Sequence, residues 1–369
     1  MEKYAKHIIT LLFAGLFAIL MSFLCQNIIS ETRISNDGII YFSSFFISAI
    51  LILIFYYFIA PPLISYLSVK NLNGISNEFN NLYTNLCNTY KENLKKMQYI
   101  LLLREVLEAL SIFCLVSIIY NIDYPVILLI VIIILYIVVF FLTKNISTKY
   151  SDYYKNNVIK TLLESFNENL EYSPRINNKD SLYKLYENSN FPTQYFTSFS
   201  ADDFIYGQID NNYIEMFNLL IERNNTRRDM HTVFSGLFLV EKCNIHIPEN
   251  VQILKYEIPK ISNVPTDSTN FNKYFRLYCN DNILAMSIFT PDILEFMSNF
   301  YEKYNINFEI SIYQDSINFK FYTGKMFEPN IIGTPINKLS LYNYYYSMQF
   351  VIELTKQLSK TINGLDYLN

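Results

Sequence analysis

The sequence predicts a multi-pass α-helical membrane protein of four spans, two of them extended into a cytoplasmic helical stalk, followed by a C-terminal antiparallel α+β domain. Three observations predict it. Hydrophobic residues make up 51% of the chain and charged residues only 17%, a balance foreign to a soluble globule. The apolar residues are also segregated. Residues 1–149 carry 10 Lys/Arg against 8 Asp/Glu, whereas residues 150–369 carry 19 against 25. Finally, the stretch YPVILLIVIIILYIVVFFLTK, Tyr124–Lys144, has no charge between its proline and its lysine, which meets the roughly 20 apolar residues a helix needs to cross about 30 Å of hydrocarbon.

Four segments meet that length: Ile8–Cys25, Ile39–Ala60 (ended by Pro61-Pro62), a third within Leu101–Tyr120, and the Tyr124–Lys144 stretch. The first follows Lys3 and Lys6, but QNIISET offers no small-x-small cleavage site, so it reads as a retained anchor and not a signal peptide. Short-loop Lys/Arg orient the spans. Lys3 and Lys6 precede the first; Lys70, Lys91, Lys95 and Lys96 lie between the second and third; Lys144 and Lys149 follow the fourth. Both termini are therefore expected in the cytoplasm, with the protein in the inner membrane. Five scattered cysteines without a CxxC fit reduced thiols in that compartment.

Around the last two spans, Phe79, Leu82, Leu86, Tyr90, Leu94 and Met97 recur at helical spacing, as do Tyr150, Tyr154, Val158, Leu162 and Phe166. No Gly or Pro falls between Gly74 and Pro125 or between Pro125 and Pro174, so two long helices that turn at Asn121–Pro125 are expected to pack their apolar stripes together. The organisation expected is an N-terminal two-span hairpin over 1–70, a long helical hairpin over 71–170, and an α+β domain over 171–369.

In that last domain, Phe204–Ile209, Tyr213–Glu222, Thr232–Val240, Val251–Tyr256, Phe275–Cys279 and Leu284–Phe289 read as strands, with Asn224–Asp229 as a hairpin loop. Thr290-Pro291-Asp292 starts a helix with Leu294, Met297, Phe300 and Tyr301 on its buried side. Strands Ile306–Tyr313 and Ile317–Tyr322 follow, joined by Gln314-Asp315-Ser316. A terminal helix from about Leu339 carries the stripe Met348, Val351, Leu354, Leu358 and Ile362 up to Gly364.

Several of these segments, in this order, resemble a known pattern: NEFNNLYTNL, YYKNNVIKTLLESFNENLEYSP, SADDFIYGQI, HTVFSGLFLV, FRLYCNDNILAMSIFTP and FYTGKMFEP. They are similar to the bacterial membrane-anchored family of domain of unknown function 3137, over about residues 77–369. The points of resemblance are Val158-Ile159, Tyr172-Ser173-Pro174, Phe234–Phe238, Asp281, Thr290-Pro291 and Phe327-Glu328-Pro329. The first two spans are additional to that family's pattern. The resemblance implies the architecture and no reaction.

No Walker A, GxGxxG, HExxH or GxSxG motif occurs, so no catalytic, cofactor-binding or metal residue is assigned and the chain is read as not an enzyme. Cys243, His246 and Glu249 lack a second ligand pair and read as a strand-end loop. A net charge of −4 argues against nucleic acid as a partner. The feature that stands out is Arg104, Glu105 and Glu108 inside the third apolar segment. Charges at a bilayer centre cost about 2.5–3.5 kcal/mol each, so an interfacial cluster is expected, with Glu108 pairing back to Arg104. A polar contact to another span or subunit, or an ion-sensitive site, is the other reading. The expected role is interaction, scaffold or sensor, with the lipid bilayer, a cytoplasmic protein and a second copy of the chain as partners. The alternatives are a transporter or channel, or a membrane-anchored enzyme.

Overall fold

The computed structural model describes residues 76–119, 125–166, 168–176, 178–191, 196–210, 212–226, 229–255, 263–330 and 334–364. The chain divides into two compact units, Met1–Tyr154 with Pro329–Leu341, and Lys155–Glu328 with Tyr342–Asn369.

In the first unit, helix α1 spans Asn77–Ile119 and helix α2 spans Pro125–Tyr153. Ser76 caps α1, its Oγ accepting from Phe79 N at 3.2 Å. Phe79, Leu86 and Leu94 are buried on one stripe. The two helices run side by side: Asn93 Nδ2 donates to Tyr153 Oη at 3.0 Å, and the Tyr90 ring meets the Tyr153 ring edge-on. The expected turn at Asn121–Pro125 lies largely outside the described residues, and the Asn93–Tyr153 pair has the summed number of 246 that such a turn predicts. Asn330 O accepts from Tyr150 Oη at 2.6 Å and from Gln98 Nε2 at 3.3 Å, and Lys338 Nζ reaches Asn80 Oδ1 at 2.9 Å.

The four-span membrane class is corrected here. Among the described residues no helix is long and apolar enough to cross a membrane. The expectation rested on unbroken apolar runs. Ile8–Cys25 and Ile39–Ala60 lie outside the described residues.

The second unit is built on a seven-stranded antiparallel sheet. After α2 the chain widens into a π-helical turn, Tyr154–Ile159, followed by a short helix α3, Lys160–Glu164. Then come β1 (Asn169–Ser173), α4 (Lys179–Glu187), β2 (Ser198–Ile209), β3 (Asn212–Thr226), β4 (Asp229–Leu254), β5 (Asn263–Val264), α5 (Thr269–Tyr274), β6 (Arg276–Tyr278), α6 (Asn282–Ile288), α7 (Pro291–Tyr304), β7 (Phe308–Phe321) and α8 (Lys338–Asn363). The strand order is β1-β2-β3-β4-β6-β5, with β7 also paired to β4.

β7 runs as one strand from Phe308 to Phe321, yet it cannot be straight. Fourteen residues at about 3.3 Å each would hold its ends more than 40 Å apart. Instead the Phe308 and Phe321 rings lie 6.4 Å apart, Tyr322 N donates to Asn307 O at 2.9 Å, and Asn318 Nδ2 donates to Ser311 O at 3.3 Å. The segment doubles back at the expected turn Gln314-Asp315-Ser316, where Gln314 takes a left-handed φ of 55°. One leg pairs with Leu237–Lys242 and the other with Ile247–Ile253, so β4 crosses the hairpin tip where the register breaks between Lys242 and Ile247.

Side chains alternate across the sheet. One face carries Phe217, Phe238 and Val240, against Leu182 and Tyr186 of α4. The opposite face takes α7 and α8: Phe350 packs on Phe300, Phe308 and Phe321, and the stripe Met348, Val351, Leu354, Leu358 and Ile362 is buried as expected. Leu284–Phe289 departs from expectation. It belongs to α6, because the Asp281 carboxylate accepts from Ile283 N and Leu284 N and starts a helix. Its apolar run then splits by helical period, with Ala285 and Ile288 buried and Ile283 84% exposed.

Gly236, in the Phe234–Phe238 run, is required by a close approach. A Cβ there would lie 1.8 Å from the Phe321 carbonyl oxygen and 2.8 Å from Thr323 N, both backbone atoms that cannot swing away. Gly236→Ala should therefore cost at least about 2 kcal/mol. Gly364→Ala, where the added methyl meets nothing within 4 Å, should shift the urea midpoint by less than about 0.5 kcal/mol equivalent. Equal midpoints for the two variants would refute the packing described.

Candidate functional site

Five pieces of chain converge on one buried network. Lys155 lies in the π-helical turn, a local irregularity that often marks functional sites. Its Nζ donates to Asp203 Oδ2 at 2.7 Å and to Glu328 Oε1 at 3.0 Å. Asp203 reaches this position through a bulge. Asp202 pairs with Asn218 and Ile205 with Met216, so β2 carries one residue more than β3, and Asp203 takes a left-handed φ of 56°. It is completely buried. Asn218 Nδ2 donates to Asp203 Oδ2 at 2.9 Å and to Met326 O at 3.0 Å, while Tyr172 Oη of β1 donates to Asp203 Oδ1 at 2.5 Å. At the rim, Lys325 Nζ lies 3.0 Å from Asp202 Oδ2 and 3.1 Å from Glu328 Oε1. Phe327, with φ 63°, packs edge-on against Tyr172 and Tyr344.

The charges fit that geometry. Burial alone would lower the Lys155 pKa, but Asp203 and Glu328 beside it leave the ammonium above the ordinary lysine value. Burial raises Asp203 to about 6, against the pull of Lys155 and Tyr172 and with a push from Asp202. Burial also pushes Glu328 upward, yet Lys155 and Lys325 outweigh it and leave Glu328 below the ordinary glutamate range. At neutral pH the core is an ammonium between two carboxylates, each held by further donors.

Asp202, Asp203 and Glu328 place carboxylate oxygens within 4.8 Å of one another, the one acidic grouping among the described residues compact enough for a metal ion. Both ammoniums already point into it, so a cation would have to displace Lys155 or Lys325. The expected interfacial residues Arg104, Glu105 and Glu108 fall on α1, and their side chains lie outside the described residues. Cys243 is buried, its thiol pushed up to about 12 by burial and by Glu241, while His231 and His246 are exposed. Glu249 instead accepts from Asn280 Nδ2 at 3.2 Å. Sequence reasoning missed Lys155, Asp203 and Asn218. The signal available was that three of the resemblance segments, SADDF, YSP and FEP, all end on this network.

An antiparallel α+β unit whose sheet is locked by a buried charge network is the class that fold and site define. Residues 232–360, from β4 into α8, match the model of a family described as a protein of unknown function, DUF3137. The resemblance seen in the sequence is thereby shown over a little more than a third of the chain. No curated protein matches. Among solved structures, the crystal structure of the mycobacterial trehalose monomycolate transport factor A is similar at 10% identity, over 55% of this chain and 92% of that chain, with a TM-score of 0.32. A likeness of that size carries no conclusion about this chain.

Two outcomes test the network. Lys155→Met leaves buried carboxylates uncompensated and should cost about 3–5 kcal/mol. Lys325→Met, at a side chain 56% exposed, should cost less than about 1 kcal/mol. The second outcome concerns pH. Asp203 binds its proton near pH 6 when folded and near 3.8 when unfolded, so this group favours the fold in its acid form and the benefit is lost as pH rises from about 4 to 6. Asp203→Asn should flatten that window, gaining about 2–3 kcal/mol on the parent chain between pH 4 and pH 7. An unchanged pH profile in urea melts would contradict the assignment.

Proposed function

We propose that the sheet unit is a binding module that presents the free edge of β1 to an extended segment of a partner protein or of a second copy, and that it is not an enzyme. The observation that supports this is how the polar residues are used. Lys155, Asp203, Asn218 and Tyr172 are hydrogen-bonded to one another, which fixes β1 against β2 through Tyr172. Among the described residues β1 pairs only with β2, and Asn169 and Glu171 on it are exposed. A short edge strand held rigidly at its next-to-last residue suits strand addition, in which main-chain bonds give affinity and alternate side chains give selectivity.

We further propose that the chain works at the cytoplasmic membrane, with the lipid surface in contact with α2. Ile130, Ile133, Ile134, Ile137, Phe140 and Phe141 of α2 are exposed, Phe141 by 75%, and Lys95, Lys96 and Lys149 are exposed beyond one end of that row. Apolar rows next to basic residues match an acyl layer below anionic headgroups.

Broad substrate profiling of the full chain should find no turnover; an activity abolished by Asp203→Asn would establish an enzyme instead. Leu170→Pro, which removes the Leu170 N–H bonded to Glu168 O at 2.9 Å and disrupts the β1 backbone, should abolish association measured by sedimentation with a partner or with itself. Flotation with anionic vesicles should fall at least about fivefold for Phe141→Glu; equal flotation would remove the lipid contact.

A further inference from the structure

The free edge of β1 has a chemical character of its own. Glu171, Tyr206 and Glu215 stand in one row across β1, β2 and β3, and Asn169, Gln208 and Tyr213 form another. Alternate residues of a strand share a face, so Tyr213 and Glu215 lie on the side of β3 that, further along, places Phe217 and Leu219 in the core with Leu182 and Tyr186 of α4. At this end the same face is open: Asn169, Glu171, Gln208 and Tyr213 are all exposed.

The carboxylate nearest the edge carries an unbalanced charge. Tyr206 Oη donates to Glu171 Oε2 in a short contact, and Tyr213 Oη donates to Glu215 Oε1 at 3.4 Å. Neither glutamate has an ion-pair partner among the described residues, whereas Glu168, just before β1, is paired with Lys356 at 2.6 Å. The exposed Lys242 of β4 can offset Glu215 from the diagonal position beyond Val240. It stands three strands from β1, roughly 14 Å at about 4.8 Å per strand, which exceeds a Debye length of about 8 Å. Glu171 therefore stays uncompensated. Beside it the surface is aromatic, with the Tyr206 ring stacked on Phe204 at a centroid distance of 5.3 Å.

A strand added to β1 meets these groups in a fixed order. The residue opposite Glu171 has its Cβ about 4.5–5.5 Å away on the same face. A lysine or arginine there reaches the Glu171 carboxylate and lies across β1 toward the Tyr206 ring, combining an ion pair with a cation–π contact. A glutamate there meets like charge. The flanking residues of the added strand turn to the other face, beside the half-buried Leu170 and Tyr172, where apolar side chains fit.

We propose that the segment received by β1 is basic at alternate positions: an extended stretch of a partner protein whose lysines or arginines face Glu171 and Tyr206 and whose intervening residues are apolar. This selectivity depends on strand addition at β1, and it supplies the side-chain chemistry that main-chain bonding alone leaves open.

Fluorescence anisotropy with the full chain in neutral detergent tests it, using three end-blocked, dye-labelled hexapeptides in which valine alternates with lysine, glutamine or glutamate. The lysine peptide should bind about five- to tenfold more tightly than the glutamine peptide, and the glutamate peptide more weakly than either. Glu171→Gln, at an exposed position, should lower the lysine peptide to the affinity of the glutamine peptide. It should leave the glutamine peptide unchanged, which shows that the edge is still folded. Equal binding of the lysine and glutamine peptides would overturn the basic selectivity while leaving strand addition in place. Binding of none of the three would remove strand addition itself and the selectivity with it. A lysine preference that survives Glu171→Gln would also overturn the proposal. So would self-association of the peptide-free chain in sedimentation that Leu170→Pro abolishes, because the edge would then belong to a second copy.

Discussion

Taking an ammonium and two carboxylates out of water is expensive, and only close mutual approach with further hydrogen bonds offsets it. Lys155, Asp203 and Glu328 satisfy that condition at 2.7 and 3.0 Å, with Asn218 and Tyr172 filling the remaining valences of Asp203. The consequence is geometric. The π-helical turn, the β2 bulge, β1, β3 and the Lys325–Glu328 segment can all be in place only together. Lys155 and Glu328 also stand at the two ends of the segment Lys155–Glu328, which forms most of the sheet unit. A single polar contact thus closes a long loop of chain, where closure of such a loop is otherwise opposed by entropy. The left-handed backbones at Asp203 and Phe327 are held there by this closure.

A second buried lysine shows that burial alone does not make such a tie. Lys320 Nζ is 3.9 Å from Glu309 Oε2, beyond hydrogen-bond reach, and faces the rings of Phe191, Tyr186 and Phe234. Burial lowers its pKa to about 8, and burial raises that of Glu309. Both shifts move toward a neutral pair. The hairpin of β7 therefore relies on its apolar side, where Phe308 and Phe321 meet Phe350, and tolerates a loose polar pair on the α4 side. The contrast between 2.7 and 3.9 Å separates a contact that organises the fold from one that the fold merely accommodates.

Much of the sheet unit could be read from the sequence because its signals are local. The Gln314-Asp315-Ser316 turn, the Thr290-Pro291 helix start and the α8 stripe each depend on residues within one or two turns of one another. Leu284–Phe289 was misread because its apolar run fits either period; the deciding residue, Asp281, lies outside the run and caps it as a helix. The candidate site was legible only as scattered points of resemblance, Tyr172 and Glu328 among them, and not as a site. Lys155, Asp203 and Glu328 are 48 and 173 positions apart, and a lone lysine or aspartate in a sequence defaults to the solvated surface. The four-span expectation failed for a different reason. Apolar runs suggest four spans, whereas no helix among the described residues combines the length and apolarity that a bilayer crossing demands.

The α8 helix links the two polar features of the unit without merging them. Near its start Tyr344 Oη donates to Glu328 O at 3.4 Å and its ring meets Phe327, so this end of the helix rests on the charge network. Four turns later Ser359 bonds the buried Glu241 of β4. Between these points the helix is anchored by an unbroken apolar stripe, Met348 to Ile362, against the β4 and β7 side chains. A close-packed stripe of this kind shifts as a whole or not at all. The Glu241–Ser359 contact and the Glu328–Tyr344 contact therefore hold opposite ends of one rigid element.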